Sequence, residues 1–210
     1  DDGSTAETLR IARESASDSV RVVTQPNRGG SAARNHAYRF SKGDYIQWLD
    51  ADDLLAQDKI ARQMEAAAND PAGTTALTGA LGLFHFRIEK ARFKPTALWQ
   101  DLSPIDWLLQ NMSGNLWLNP AAWLICRKLA DKAGPWDERL SMDDDGEYFA
   151  RVVAASDGVR FLPSARSYYR QTSFRQVSRA FDDRAVESLL LSARLRIRTL
   201  LSVEDSDRAR

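Results

Sequence analysis

Cysteine, histidine and net charge are all scarce in this chain, and each shortage removes a class of function. A single cysteine, Cys126, excludes an internal disulfide framework and suits a reducing compartment. Beside it only His36 and His85 could offer nitrogen ligands, too few for a zinc cluster. Lysine plus arginine and aspartate plus glutamate both total 29, so the net charge is zero and gives no general argument for nucleic-acid binding. No apolar run approaches the length of a membrane span. The chain opens on "DDGS", with neither a methionine nor a secretion signal, so the natural N-terminus is expected to lie upstream.

What is present is enough for one domain: 210 residues, 43% of them hydrophobic, can bury a substantial core. "STAETLRIARESA" reads as a capping box, with Ser4 capping a helix and Glu7 reaching back. "VRVV" at 20–23 reads as a short buried strand. After the turn-rich "TQPNRGG", Ser31 is placed to cap a helix that runs to about Ser41 and stops at Gly43. "YIQWL" is the next strand, and a helix over about 57–69 follows, with Ile60 and Met64 facing inward. This alternation predicts a parallel sheet with crossover helices, whose ligands collect outside the carboxyl ends of the strands. Further on, "ALTGALGLFHFRIEK" reads as strand with a turn at Gly79. "SPIDWLLQNM" is a helix capped by Ser103, "AAWLIC" and "VRFLP" are strands, and "DGEYFARVVAA" is helical. Residues 182–202 form a last helix with Leu189, Ala193, Ile197 and Leu201 on one stripe.

The chemistry concentrates in aspartates. "YIQWLDADDLL" ends an apolar segment on Asp50, Asp52 and Asp53, like charges that repel unless something neutralises them. Two carboxylates at a strand end suit a hard divalent cation, Mn²⁺ or Mg²⁺, completed by phosphate oxygens and not caged by protein alone. A solvated turn with Asp53 capping the next helix is the competing explanation. An EF-hand fails, because a loop starting at Asp50 finds Leu54, Leu55 and Ala61 where ligands and glycine belong. "SMDDDGEYFARVV" places Asp143, Asp144 and Asp145 ahead of a helix, where the dipole favours carboxylates and a plain cap is an equal alternative. Two such clusters point to divided labour: one holds metal, the other deprotonates an incoming hydroxyl. "NRGG" could offer amides to a phosphate but matches no P-loop, and a simple turn is the commoner explanation.

In order and approximate spacing, "DDGSTAETL", "VVTQPNRGGSAARNHAYRFSKGDYIQWLDADD", "GPWDERL" and "DDDGEYFARV" resemble family 2 glycosyltransferases, from Asp1 to about Arg170. The resemblance implies the GT-A fold, a three-layer α/β/α sandwich with a mostly parallel sheet. The strand, helix and strand that usually precede "DDGS" are not in this sequence, so the domain is expected to be partial at its N-terminus. Residues 1–180 would form it, with 181–210 an amphipathic helix and tail. By the same resemblance Asp2 contacts the nucleotide base, and Asp50 lies near the ribose or a metal-bound water. Asp52 binds Mn²⁺ or Mg²⁺, Asp145 is the catalytic base, and Asp144 orients acceptor or base. Arg34 and Asn35 match the family's "ARN" and support the nucleotide pocket. Where members often show a histidine near the metal, this chain has Gln171 and Thr172, leaving a third protein ligand unassigned.

The implied activity is inverting transfer from a UDP-, GDP- or dTDP-linked sugar to a hydroxyl on a saccharide or lipid-linked acceptor. Cell-surface polysaccharide or glycan synthesis is the implied setting, in the cytoplasm or at the cytoplasmic face of the membrane, with no nucleic-acid partner. The rival expectation is a non-catalytic GT-A-like binding or assembly module. The last helix, with Arg194, Arg196 and Arg198 among leucines, could meet an anionic membrane or pack on the domain or a second subunit. Trp48 and Trp123 read as core; Trp117 and Trp136 are candidates to line an acceptor groove, with core packing the commoner fate.

Overall fold

The computed structural model describes residues 1–171 and 182–209. In chain order, helices α1 (Ala6–Glu14) and α2 (Gly30–Phe40) precede two short strands, β1 (Tyr45–Ile46) and β2 (Leu54–Leu55). Helix α3 (Lys59–Ala67), the long strand β3 (Thr75–Phe84) and short β4 (Arg92–Phe93) follow. Next come α4 (Pro104–Ser113), β5 (Ile125–Cys126), α5 (Arg127–Ala133), α6 (Asp144–Ala155), β6 (Gly158–Arg170) and α7 (Asp183–Val203). No described helix is long and apolar enough to cross a membrane.

The main sheet has the order β2-β6-β3-β4. Its long ladder is parallel, β3 on β6, from Thr75↔Gly158 to Phe84↔Arg170, and the two outer strands pair antiparallel. Gly79 lies inside β3 and is not a turn; a side chain there would put its Cβ 1.8 Å from the Ala165 carbonyl oxygen. The glycine therefore permits a close strand approach, and the register shifts beside it. A second pairing, β1 antiparallel to β5, carries the segment that leads into the aspartates.

Several local expectations change for identifiable reasons. Residues 20–23 join no ladder: Val20 is exposed and exchanges backbone hydrogen bonds with Ser17, the Asp1 ammonium donates to the Val23 carbonyl, and a bridge joins Asp2 to Gln25. Helix α1 begins after Thr5 with no side-chain cap, and Glu7 pairs with Arg10 in place of the capping box. Gly29, not Ser31, is the N-cap of α2. Helix α3 turns Ile60 and Met64 outward and buries Lys59 and Gln63. The Lys59 ammonium donates to the side-chain oxygens of Gln47 and Gln63 and to the Trp123 carbonyl, so polar partners decide which face goes in. Burial alone lowers the Lys59 pKa to about 7.

The core gathers aromatics around α6. Trp136 stacks on Tyr148 with centroids 4.2 Å apart, Trp123 stacks on Phe149 at 4.5 Å, and Trp48 meets Trp136 and Tyr148 edge-on. Truncating such a buried ring to alanine typically costs about 3–5 kcal/mol. These contacts fix α6, whose first turn carries Asp144 and Asp145. Trp136 is thus core, whereas Trp117 is 49% exposed and packs edge-on against Tyr169. Ser103 caps α4 as its position predicts, accepting from the Asp106 amide.

Candidate active site

The three aspartates after "YIQWL" go three different ways. The Asp53 amide donates to the Asp50 carbonyl, closing a tight turn that leads into β2. Asp53 itself is buried and accepts the Arg170 amide at 3.0 Å, while Arg170 Nε donates to the Asp52 carbonyl at 2.9 Å. The turn is therefore pinned to the end of β6, and Asp53 does not cap α3, whose N-cap is Asp58. Burial raises the Asp53 pKa to about 6; the Arg170 amide opposes this, and the charges of Asp50 and Asp52 add to it. Asp52 points into solvent, and Asp50 is half-buried. Asp53 as a structural anchor was missed by sequence reasoning; its signal was a third acid directly behind the Asp-Ala-Asp.

Asp50 meets Arg34. The guanidinium donates through Nη2 to Asp50 Oδ1 and through Nη1 to Asp144 Oδ2, both at 2.8 Å. It thereby joins two acidic clusters that lie 94 positions apart in sequence (50 and 144). Burial works against its charge, but Asp144 and Asp50 outweigh that and hold the Arg34 pKa above its ordinary value. The group lies 4.4 Å over the Trp136 ring. Neighbouring Asn35 grips the backbone of Trp136 in both directions, donating to its carbonyl and accepting its amide at 2.9 Å each. "ARN" and "GPWDERL" thus form one support under the acidic centre.

Asp144 has three donors: Ser31 Oγ and Arg34 reach Oδ2, and the Asp145 amide reaches Oδ1. That set suits orienting its neighbour better than taking a proton itself. Asp145 has its Oδ1 on the Gly146 amide at 2.9 Å, with no cationic partner bonded to it among the described residues. Burial, then the charges of Asp144 and Asp143, push its pKa up to about 7, with Arg34 opposing. A carboxylate so tuned can accept a proton near neutral pH.

Asp2 sits apart from this centre and closes the 25–29 loop. Its carboxylate accepts from Gln25 Nε2 and the Arg28 and Gly29 amides, at 2.8–2.9 Å. Burial alone would raise its pKa, but these three donors outweigh it and hold the carboxylate below the ordinary value. Two of the four "NRGG" amides, those of Arg28 and Gly29, are thus taken by Asp2, which supports the simple-turn explanation. One of a carboxylate's roughly four acceptor positions remains for a ligand. His36 pairs with Gln25 and stacks on Phe40, and His85 bonds the Gln171 carbonyl. Thr172 lies outside the described residues.

Among the described residues no three His, Cys, Asp or Glu side chains converge as a ready metal cage. Among the described residues Asp52 has no side-chain hydrogen bond, and Asp50 keeps one oxygen clear of Arg34. Two such hard-oxygen donors fit Mn²⁺ or Mg²⁺ when a diphosphate supplies further oxygens.

The fold is GT-A, as comparison with solved structures shows. Aligned on solved structures, the chain matches Staphylococcus aureus TarS 1–349 in complex with UDP-GlcNAc with a TM-score of 0.72, at 16% identity, covering 97% of this chain and 60% of that one. By sequence, residues 1–90 match the family described as glycosyl transferase family 2. It is 31% identical over 177 residues to the succinoglycan biosynthesis protein ExoU of Rhizobium meliloti, covering 77% of this chain and 48% of that protein. It is 45% identical over 62 residues to an Escherichia coli chondroitin synthase, covering 29% of this chain and 9% of that one. The chain thus spans less than half the length of these curated relatives.

Proposed function

We propose that the protein transfers a sugar, with inversion, from a nucleoside-diphosphate donor to a hydroxyl on a saccharide or lipid-linked acceptor. The observation that carries this reading is the Arg34 fork, which ties the Asp50 turn to the Asp144–Asp145 turn. TarS was solved with UDP-GlcNAc and with UDP, and this supports a uridine-linked donor first among UDP, GDP and dTDP sugars. Relatives named for succinoglycan and chondroitin synthesis support a polysaccharide product. The outer face of α7, with Val186, Leu190 and Ile197 exposed beside Arg194 and Arg198, supports peripheral membrane contact or pairing of two copies there.

The chemistry follows from what each side chain can do. Asp145 takes the acceptor hydroxyl proton as that oxygen bonds to the anomeric carbon. The bond from that carbon to the diphosphate oxygen breaks on the opposite side, so one displacement inverts the centre. Asp144 and Arg34 keep Asp145 oriented, and Asp2 closes the loop beside the nucleotide. Asp50 and Asp52 would hold the Mn²⁺ or Mg²⁺, which would supply charge neutralisation for the departing diphosphate.

Two measurements test this. The complete protein, screened against a panel of nucleotide sugars, should release nucleoside diphosphate with one or a few of them; silence with all would favour the non-catalytic module. In calorimetry, Mn²⁺ should bind only when UDP or GDP is present, and Asp52→Asn should weaken that binding at least about tenfold. Equal binding by the variant would remove the metal assignment.

A further inference from the structure

Helix α7 was expected to offer an apolar stripe, yet it turns small polar residues inward. Ala193 and Ile197 are exposed, and Ala185, Ser188, Ser192 and Leu200 are buried. The polar ones converge on the segment that leads into the Asp145 helix. Ser188 Oγ accepts the Ser141 and Met142 amides at 2.9 Å each and donates to the Met142 carbonyl at 2.8 Å. Ser192 Oγ lies 2.6 Å from Asp143 Oδ2 and 3.0 Å from the Asp143 carbonyl. Arg196 Nη1 donates to Asp143 Oδ2 at 2.9 Å, and its Nη2 is held by the Asn111 side-chain oxygen of α4 at 2.5 Å.

Asp143 is where such a grip matters. It is left-handed, with φ 55° and ψ 29°, a conformation disfavoured for a residue with a side chain. Its Oδ1 lies so near the next turn that a Cβ on Gly146 would come within 2.2 Å of it. Resting on the proposed role of Asp145 as base, we infer that Ser192 and Arg196 are positioning residues for it: they clamp Asp143 in the turn that aims the first turn of α6. Arg196 also neutralises a carboxylate beside the base. The charged groups acting on Asp145 are Asp144 and Asp143 on its own turn and Arg34 from α2. Uncompensated charge on Asp143 would therefore bear directly on the base, and a purely structural bond would not.

The test needs no turnover and uses the chain itself, with aspartate carboxyls labelled with ¹³C and followed through a pH titration by NMR. In the unaltered chain Asp145 should titrate near neutrality. Arg196→Met should move that titration up by about one unit and speed amide exchange across residues 141–147 at least about tenfold. Arg196→Lys should restore most of the titration shift, because the charge returns. Ser192→Ala, a smaller deletion should Arg196→Met fail to fold, should speed exchange over the same residues alone. Unchanged titration and exchange in a folded Arg196→Met, or unchanged exchange in Ser192→Ala, overturn the clamp. If Asp145 in the unaltered chain titrates near the ordinary carboxylate value, the base assignment fails instead. The exchange data then still judge the clamp.

Discussion

In Asp145→Asn, sugar transfer is expected to fall by about 10²–10⁴-fold, while affinity for the nucleoside diphosphate stays unchanged. The amide is the same size and keeps an oxygen for the Gly146 amide, but it cannot take a proton. The parent carboxyl has a pKa raised to about 7 by burial and by Asp144 and Asp143, with Arg34 opposing. A base works only when deprotonated, so transfer by the parent should rise with pH through about 7 and then level off. The raised pKa also predicts stability, and its sign is opposite. Below about pH 4 both folded and unfolded chains hold the proton, and this carboxyl costs nothing. Between about pH 4 and 7 the unfolded chain has released it and the folded chain has not, so stability falls as pH rises. Above about 7 the cost is constant. Asp145→Asn carries no charge to bury and should therefore melt higher than the parent at pH 8, by about 1–3 kcal/mol, with little difference at pH 4. Near-normal turnover in the variant would move the role of base to another group, and equal melting at pH 8 would contradict the raised pKa.

Elements whose signal is local were legible in the sequence. Ser103 with Pro104 marks the start of α4, and α6 and α7 lie within a residue or two of their expected bounds. The fold was implied by the resemblance that four motifs carry in order, from "DDGSTAETL" to "DDDGEYFARV". Faces were harder, because periodicity sees hydrophobicity and not the partner. On α3 the buried side is the one where Lys59 and Gln63 find Gln47 and the carbonyls of 122 and 123. On α7 it is the one where serines find the backbone of residues 141–143. The same limit hid the site's organisation. Asp50, Asp52 and Asp145 could be singled out by motif, but nothing local to Arg34 or Arg196 says which distant carboxylate each will meet. Gly79 was misassigned for a related reason: a glycine that admits a neighbouring strand and one that makes a turn look alike until the neighbour is known.

Arg34→Met should lower transfer by about 10²–10³-fold, and the way it does so separates a functional fork from a merely structural one. The side chain is 20% exposed and holds Asp50 and Asp144, which are 34% and 21% exposed. Its loss leaves two carboxylates beside Asp52 and Asp145 with no counter-charge. The cost in stability, discounted for that partial exposure, is about 1–3 kcal/mol, visible as a lower melting temperature. Methionine still covers the Trp136 face, so the packing under the site survives. Two further effects follow from charge. Arg34 opposes the raised pKa of Asp145, so its removal should push the rise in transfer to a pH above about 7. Freed from the fork, Asp50 and Asp144 also no longer fix the distance between the turn that meets the donor and the turn that deprotonates the acceptor, so transfer should suffer more than donor affinity. Lysine keeps the charge but has one ammonium in place of two diverging NH₂ groups. Arg34→Lys should therefore recover the pH dependence and the melting temperature more fully than the rate. A lysine variant with parental rate would mean that neutralisation is all the site asks of this position. A methionine variant with parental rate and pH profile would mean that the two acidic turns act independently, and the fork would then be a packing device.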